Sequence, residues 1–391
     1  MIFTLEALQA KYGDSLILHW GPKKAPNFLL IDGGPKGVYQ DALSTRLGQL
    51  QGKFGNKDDG KLDLEMVMVS HIDEDHIFGI LSMFADLEKL KDSGKDLPYN
   101  IKTLWFNSFD ETADNLPSEL KSVLSSFDPS KLKKVPKPSG ITGAVLSSVG
   151  QGRDLRASAT RLGVVPNSPF KGLVMTAGTG AAPVVKLQGG LSLTILAPSK
   201  ARLQKLGEDW EKDVKNNPDR EVLAKFADNT VPNLSSIAVL AKTNEGTMLL
   251  TGDGRGDDIL AGLDAAKLLQ AGKLHVDIFK FPHHGSSRNM TQEFLENVTA
   301  DQYVFSADGS FDNPDAETIE MLCKARGGDA YTVYITNEKL RNNKKPGVAG
   351  DVEAKVKKVF ADNPSTKRKV VYRTSTALSV LAEIGKDKVT Y

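Results

Sequence analysis

Two imidazoles and three carboxylates fall within the six residues His71-Ile72-Asp73-Glu74-Asp75-His76. The apolar run Leu64 to Val69 before them reads as a short buried strand, and from Ile77 to Leu90 apolar residues recur at helical spacing. A dense ionisable loop therefore joins a strand to a helix. Uncompensated, so many ionisable groups would repel one another and resist burial, and a bound cation is the natural compensation. The bland alternative is a solvated acidic loop.

Three further loops weigh against that alternative, because each ends an apolar strand. Asp32-Gly33-Gly34 follows Phe28 to Ile31, Thr251-Gly252-Asp253-Gly254 follows Thr247 to Leu250, and Pro282-His283-His284-Gly285-Ser286 follows Val276 to Phe281. Of the six histidines in the chain, His71, His76, His283 and His284 stand in these loops. Asp253 is expected at a sheet edge where a carboxylate can bridge two metals, and Gly285 lets backbone approach a ligand. Any one of these loops is only a turn. Together, in this order, they point to one shared site.

The rest of the chain supplies the frame. Ile2 to Leu8 and Ser15 to Trp20 read as a hairpin about a Lys-Tyr-Gly-Asp turn, and a helix carrying Val38, Leu43, Leu47 and Leu50 follows the Asp32 loop. Ile101 to Phe106 reads as a strand, after which a long polar stretch to about residue 190 reads as an insertion holding a helix at Val145 to Leu162. Strands at Leu191 to Leu196, Ile237 to Ala241 and Thr247 to Leu250 restore the sheet, with a charged helical segment, Ala201 to Val214, between the first two. Helices at Asp257 to Leu269, Thr291 to Val298, Ala316 to Cys323 and Val352 to Phe360 then alternate with strands. Hairpins followed by strand–helix alternation, twice over, imply an α/β (α+β) fold of two packed sheets with helices outside. We expect a single domain over 1–391, with an insertion at about 110–190 and a C-terminal extension at about 336–391.

Composition narrows the function. Fifty Lys and Arg against forty-nine Asp and Glu leave a formal charge of +1, so no global field recruits a polyanion. The basic runs Lys131 to Lys137, Lys339 to Lys345 and Lys367 to Arg373 read either as solvated faces or as contacts to a nucleic-acid backbone, and no aromatic residues interleave with basic ones to stack single-stranded bases. Cys323, the only cysteine, excludes an intrachain disulfide and a thiolate-rich zinc site and reads as a core residue. Met1 to Leu18 lacks the pattern of a signal peptide, and no run of about 18 apolar residues suggests a membrane partner. A cytoplasmic protein is expected, and the sequence leaves its protein partners open.

The order Asp-Gly-Gly, Ser-His-x-Asp-x-Asp-His, Thr-Gly-Asp and Pro-His-His-Gly-Ser resembles the metallo-β-lactamase fold superfamily, whose usual core motif is His-x-His-x-Asp-His. With Asp73 in place of the second His, and Lys280 ahead of the Pro-His-His-Gly-Ser run, it is most similar to the branch containing the hydrolase domain of the DNA-uptake competence channel protein. The resemblance spans roughly residues 1–325 and implies an αββα four-layer sandwich with a metal site at one end of the sheets. It also implies that His71 and Asp73 bind one metal, that Asp75, His76 and one of His283 or His284 bind a second, and that Asp253 bridges both. Strand alternation places His284 on the face of Lys280, but Pro282 interrupts that parity and the choice stays open. Asp32 is expected to orient the metal ligands or to cap its own loop.

Two departures matter. The stretch Pro232-Asn233-Leu234-Ser235-Ser236 has no His where the superfamily usually supplies one, leaving Asn233 as a substrate-side candidate and the first site one ligand short. At Asn313-Pro314 relatives often carry His before the Pro; Asn313 reads either as a phosphate contact or as a helix N-cap.

The function expected first is a phosphodiesterase or nuclease using one or two divalent ions, zinc or manganese with magnesium possible, because the carboxylate share makes the ligand set hard. A metal-activated water attacks, a second ion clamps the attacking and leaving oxygens, and Lys280 neutralises phosphoryl charge. Asp75, Lys280 and His284 are the candidate catalytic residues. Nucleic acid or a small phosphoester would be the substrate. A hydrolase of a small ester, phosphoester or thioester is the second reading, and a non-catalytic binding module with a degenerate metal site the third.

Overall fold

In β1 (Ile2–Leu8) every residue is buried, and its side chains divide with a period of two. Phe3, Leu5 and Ala7 join one apolar cluster while Leu8 joins another. A strand buried on both faces needs a layer on each side, and that requirement sets the architecture. The computed structural model of the chain describes residues 1–108, 141–177, 180–203, 235–337, 339–340 and 351–391.

The first sheet contains β1, β2 (Leu16–Gly21), β3 (Asn27–Ile31), β5 (Met66–Met68), β7 (Leu104–Trp105) and β16 (Ser379–Ile384), in the order β16-β1-β2-β3-β5-β7. β16, β1, β2 and β3 run antiparallel to their neighbours, whereas β3, β5 and β7 are parallel. The second sheet has eight strands in the order β15-β14-β13-β12-β11-β10-β9-β8. Its members are β8 (Val184–Lys186), β9 (Ser192–Ala197), β10 (Ala238–Thr243), β11 (Gly246–Leu250), β12 (Leu274–Lys280), β13 (Val298–Phe305), β14 (Tyr331–Ile335) and β15 (Arg368–Tyr372). It too passes from an antiparallel half, β8 to β11, to a parallel half, β11 to β15.

The inner faces pack on each other: Phe3, Leu18, Trp20 and Leu29 share a cluster with Ile195, Val239, Met248, Ile278 and Val304. Outside the first sheet lie α1 (Ser44–Phe54), α2 (Glu74–Asp92) and α3 (Ile141–Leu162), which bury Leu47, Ile80, Phe84 and Leu155. Outside the second lie α4 (Gly256–Ala265), α5 (Gln292–Asn297), α6 (Ala316–Arg326) and α7 (Asp351–Asp362), through Leu263, Phe294, Leu322 and Val356. The fold is a mixed α/β, αββα four-layer sandwich. Among the described residues no helix is long and apolar enough to cross a membrane.

Two apolar runs read as single strands are each divided. Leu64 to Val69 separates at Glu65, and Ile101 to Phe106 separates at Lys102-Thr103, because β4 (Leu62–Leu64) and β6 (Tyr99–Ile101) pair in a small parallel ribbon of their own. A Lys102–Glu65 ion pair marks the crossing from ribbon to main sheet. The charged segment Ala201 to Val214 lies mostly outside the described residues, as does the basic run Lys131 to Lys137.

The parallel halves matter for function, since open parallel strands gather ligands beyond their carboxyl ends. Asp32 follows β3, the Ser70 to His76 loop follows β5, Asp253 follows β11, the histidine pair follows β12 and Ser306 follows β13. The Asp32 loop is fastened to α2 by Gly33 N donating to His76 O at 2.7 Å and Gly79 N donating to Gly34 O at 3.0 Å. A Cβ added at Gly79 would stand 1.9 Å from Gly33 O. Gly79→Ala gains about 1 kcal/mol of helix propensity in isolation, but here overpacking costs about 1–3 kcal/mol and prevails. The variant is therefore expected to melt a few degrees below the wild type; a higher Tm would refute this account of the contact.

Candidate metal centre

The helix N-terminus of α2 presents the first two groups. Asp73 is its N-cap residue, and Asp75 and His76 occupy the first turn, where the helix dipole favours carboxylates. Asp32, itself in the left-handed region at φ 59°, accepts hydrogen bonds from Ser70 N at 2.7 Å and Ser70 Oγ at 2.6 Å. Its Oδ2 also lies 2.9 Å from His76 Nδ1. A carboxylate there keeps the proton on Nδ1 and turns Nε2 outward as the ligand atom.

The second sheet answers with the same device. His283 and His284 sit at φ 47° and 56°, consecutive left-handed residues, at a cost of about 1–3 kcal/mol each. His284 Nδ1 donates to the Ser306 carbonyl at 3.0 Å and has Asp14 Oδ1 at 3.3 Å. Its Nε2 is thereby aimed at Asp75 Oδ2, 3.1 Å away, and Asp253 Oδ2, 3.8 Å away. His76 Nε2 meets Asp253 Oδ1 at 3.1 Å and Asp75 Oδ1 at 3.9 Å. Asp75, His76, Asp253 and His284 thus each offer one ligand atom within 4.8 Å of one another.

The donor set fits a divalent cation. His76 Nε2 and Asp253 Oδ1 approach at 3.1 Å yet neither makes a hydrogen bond. Donor atoms bound at about 2.0–2.2 Å to one ion lie roughly 3.0–3.5 Å from each other. His71 is buried with neither ring nitrogen hydrogen-bonded, its Nε2 3.4 Å from Asp73 Oδ2 and its ring 5.1 Å from that of His76. Leaving such groups unsatisfied costs on the order of 1–3 kcal/mol each, which a cation would remove. Asp14, Asp32 and His76 form a second close group. It is already compensated, because Ser70 and His76 engage Asp32 while Lys280 and His284 engage Asp14.

The remaining candidates fall as follows. His284 is the buried member of its pair, whereas His283 is 32% exposed, places Nε2 3.9 Å from Asp253 Oδ2, and faces Asn289 through Nδ1 at 2.8 Å. Lys280 was expected to face a phosphoryl group. Its side chain is only 1% exposed, with Nζ 2.7 Å from Asp14 Oδ2 and 2.8 Å from Phe281 O, so the ammonium is turned inward and holds Asp14 behind His284. Asn313 is not the N-cap of α6: Asp315 is, and the backbone of Asn313 instead closes a turn with Gly309 and Ser310. Asn233 lies outside the described residues. Asp14 was missed. In sequence it is merely the last residue of a hairpin turn, and only its carboxylate on Lys280 and His284 shows its part.

The electrostatics follow. Burial disfavours ionisation of Asp253, but the charges of His76, His283 and His284 outweigh it and hold the carboxyl well below the usual range. Burial also opposes charge on His284, yet Asp253 and Asp14 raise it to about 10. His76 is likewise raised well above the ordinary histidine value, against burial, by Asp253, Asp32 and Asp75. Protons here do the work a cation would do.

No family model matches the sequence, and no curated protein matches it. Among solved structures, a protein from Parabacteroides distasonis ATCC 8503 provisionally described as a metal-dependent hydrolase is similar at 10% identity and a TM-score of 0.32, over 94% of this chain and 92% of that one. A protein of unknown function from Enterococcus faecalis V583 is similar at 12% identity and a TM-score of 0.29, over 96% and 78%. Neither likeness bears on the chemistry.

Because both imidazoles must lose a proton to bind metal, protons and cation compete. Their raised values mean that the stabilisation from charged His76 and His284 is fully present below about pH 6.5, the unfolded value, and for His284 fades as pH rises through about 10. Apparent metal affinity should therefore climb with pH, by up to about ten-fold per unit for each proton displaced. Calorimetry at pH 6.5 and 8 in buffers of different ionisation enthalpy checks this; binding that is pH-independent and releases no proton would count against it.

Proposed function

We propose that the protein is a metal-dependent hydrolase of phosphodiesters, with a cation held by Asp75, His76, Asp253 and His284. The observation that carries this reading is the convergence of those four side chains from both sheets to within 4.8 Å. Two carboxylates with two imidazoles make a set that suits manganese and zinc, with magnesium as a harder alternative. His71 and Asp73, beside His76, supply donors for a second ion.

A divalent cation held there supplies Lewis acidity and brings proton loss from water toward neutral pH. The chain's own groups then have separable tasks. Asp75, at 23% side-chain exposure the most open of the four, would accept a proton from the attacking water on a carboxylate oxygen and return it to the departing oxygen. Asp253, buried and flanked by three imidazoles, stays ionised. Asp32 and the Lys280–Asp14 pair fix the two histidines so that no reorientation accompanies the reaction.

Metal analysis and a substrate panel test the reading. Protein purified without chelators should carry about one or two equivalents of metal and cleave an aryl phosphodiester faster than a phosphomonoester, carboxylic ester or thioester. Asp253→Ala should lose the metal and at least about a thousand-fold in kcat/KM. Asp14→Asn should weaken metal binding by about ten- to a hundred-fold. Preference for a carboxylic ester or thioester would overturn the phosphodiester assignment. Less than about half an equivalent of metal, with no hydrolysis in added manganese, would place the protein among non-catalytic binding modules.

A further inference from the structure

Phe311 is 66% exposed and is the only aromatic residue among the exposed large hydrophobic side chains of the described residues. It is also held at φ 56°, with Asp312 after it at φ 68°, in a region that bulky side chains rarely adopt. Exposure and a strained backbone at one residue need a reason.

Its position suggests the reason. The Phe311 loop is fastened to the histidine loop: Asp315 N donates to Gly285 O at 3.1 Å, and Ser287 N donates to Asp315 Oδ2 at 2.9 Å. Among the described residues its aromatic neighbour is Tyr12, edge-on with ring centroids 5.4 Å apart. Tyr12 belongs to the β1–β2 turn, which presses on the metal centre; Asp14 N donates to Asp75 O at 3.1 Å, and Gly13 O accepts from Ser306 Oγ at 2.6 Å. Burial, and then the charges of Asp75, Glu74 and Asp308, push the Tyr12 phenol up. The aromatic pair therefore stands at the rim of the site, on two loops that carry or touch metal-centre residues.

Charge selects what such a rim can hold. Glu74 and Asp308 act on Tyr12, Asp312 follows Phe311 and Lys355 lies near Asp312; away from a bound cation, such a rim favours a neutral planar ring, which gains stacking without electrostatic penalty, over a second phosphate. We infer that Phe311, backed by Tyr12, is a stacking platform for the base of a nucleotide-class phosphodiester whose phosphoryl group occupies the metal centre. The inference rests on the hydrolase reading above and narrows its substrate.

Two measurements separate its failure from that of the parent reading. Thymidine 5′-(p-nitrophenyl phosphate) and methyl p-nitrophenyl phosphate share a leaving group and differ in the nucleoside, which the second replaces by a methyl group. With the manganese-loaded enzyme the former should have a KM lower by about ten-fold. Phe311→Ala should bring the two KM values together, with the change falling in KM, and Phe311→Trp should keep or widen the gap. Equal KM values in the wild type, or a gap that survives Phe311→Ala, overturn the platform. Independently of turnover, the fluorescence of Phe311→Trp should be quenched saturably by adenosine 5′-monophosphate and not by ribose 5-phosphate. Equal responses overturn the platform even if the enzyme proves active, while selective quenching without any hydrolysis leaves the platform standing and sinks the hydrolase reading.

Discussion

Four carboxylates crowd the end of the sandwich, and the charge that offsets them decides how everything nearby is arranged. Asp14, Asp32, Asp75 and Asp253 sit with His76, His284 and Lys280 in a largely water-free space. Burying that much negative charge is tolerable only with cations in contact. Lys280 and two imidazolium protons set three positive charges against the four, one short of balance, and leave Nε2 of His76 aimed at Asp253 and Nε2 of His284 aimed at Asp75. The site is thus poised between two ways of balancing the same charge.

The balance is built in two rows. Asp75, His76, Asp253 and His284 form the row whose donor atoms converge, and behind them Asp32, Asp14, Lys280, Ser70 and Ser306 fix orientation and tautomer. The rows cross between the sheets. Asp14 from the first sheet steadies His284 from the second, and Ile237 N, just ahead of β10, donates to the carbonyl of Ser70, after β5, at 2.8 Å. Neither sheet alone contains a working half.

What was legible in the sequence follows from locality. The strand and helix around Ser70 to His76, and the loops ending β3, β11 and β12, announce themselves through short-range pattern, so the fold class and the four converging residues Asp75, His76, Asp253 and His284 come from the chain directly. Glu65 and Lys102-Thr103 interrupt apolar runs by belonging to a second ribbon, which no local pattern encodes. Lys280 reads as a substrate contact because a lysine beside a histidine pair is ambiguous until its partner is known, and that partner, Asp14, lies across the sandwich. The aromatic pair is invisible for the same reason: Tyr12 and Phe311 meet only because two distant turns share one end of the molecule.

The pairing of β1 with β16 carries a consequence for biogenesis. Phe3 lies opposite Ile384, and Leu8 opposite Ser379, so β1 is synthesised long before the strand that covers its outer edge. Until then its backbone amides and carbonyls offer a template to any passing extended segment. Synthesis of this chain accordingly includes a long interval in which an apolar edge must be shielded, and a fragment stopped short of residue 379 would keep that edge bare for good.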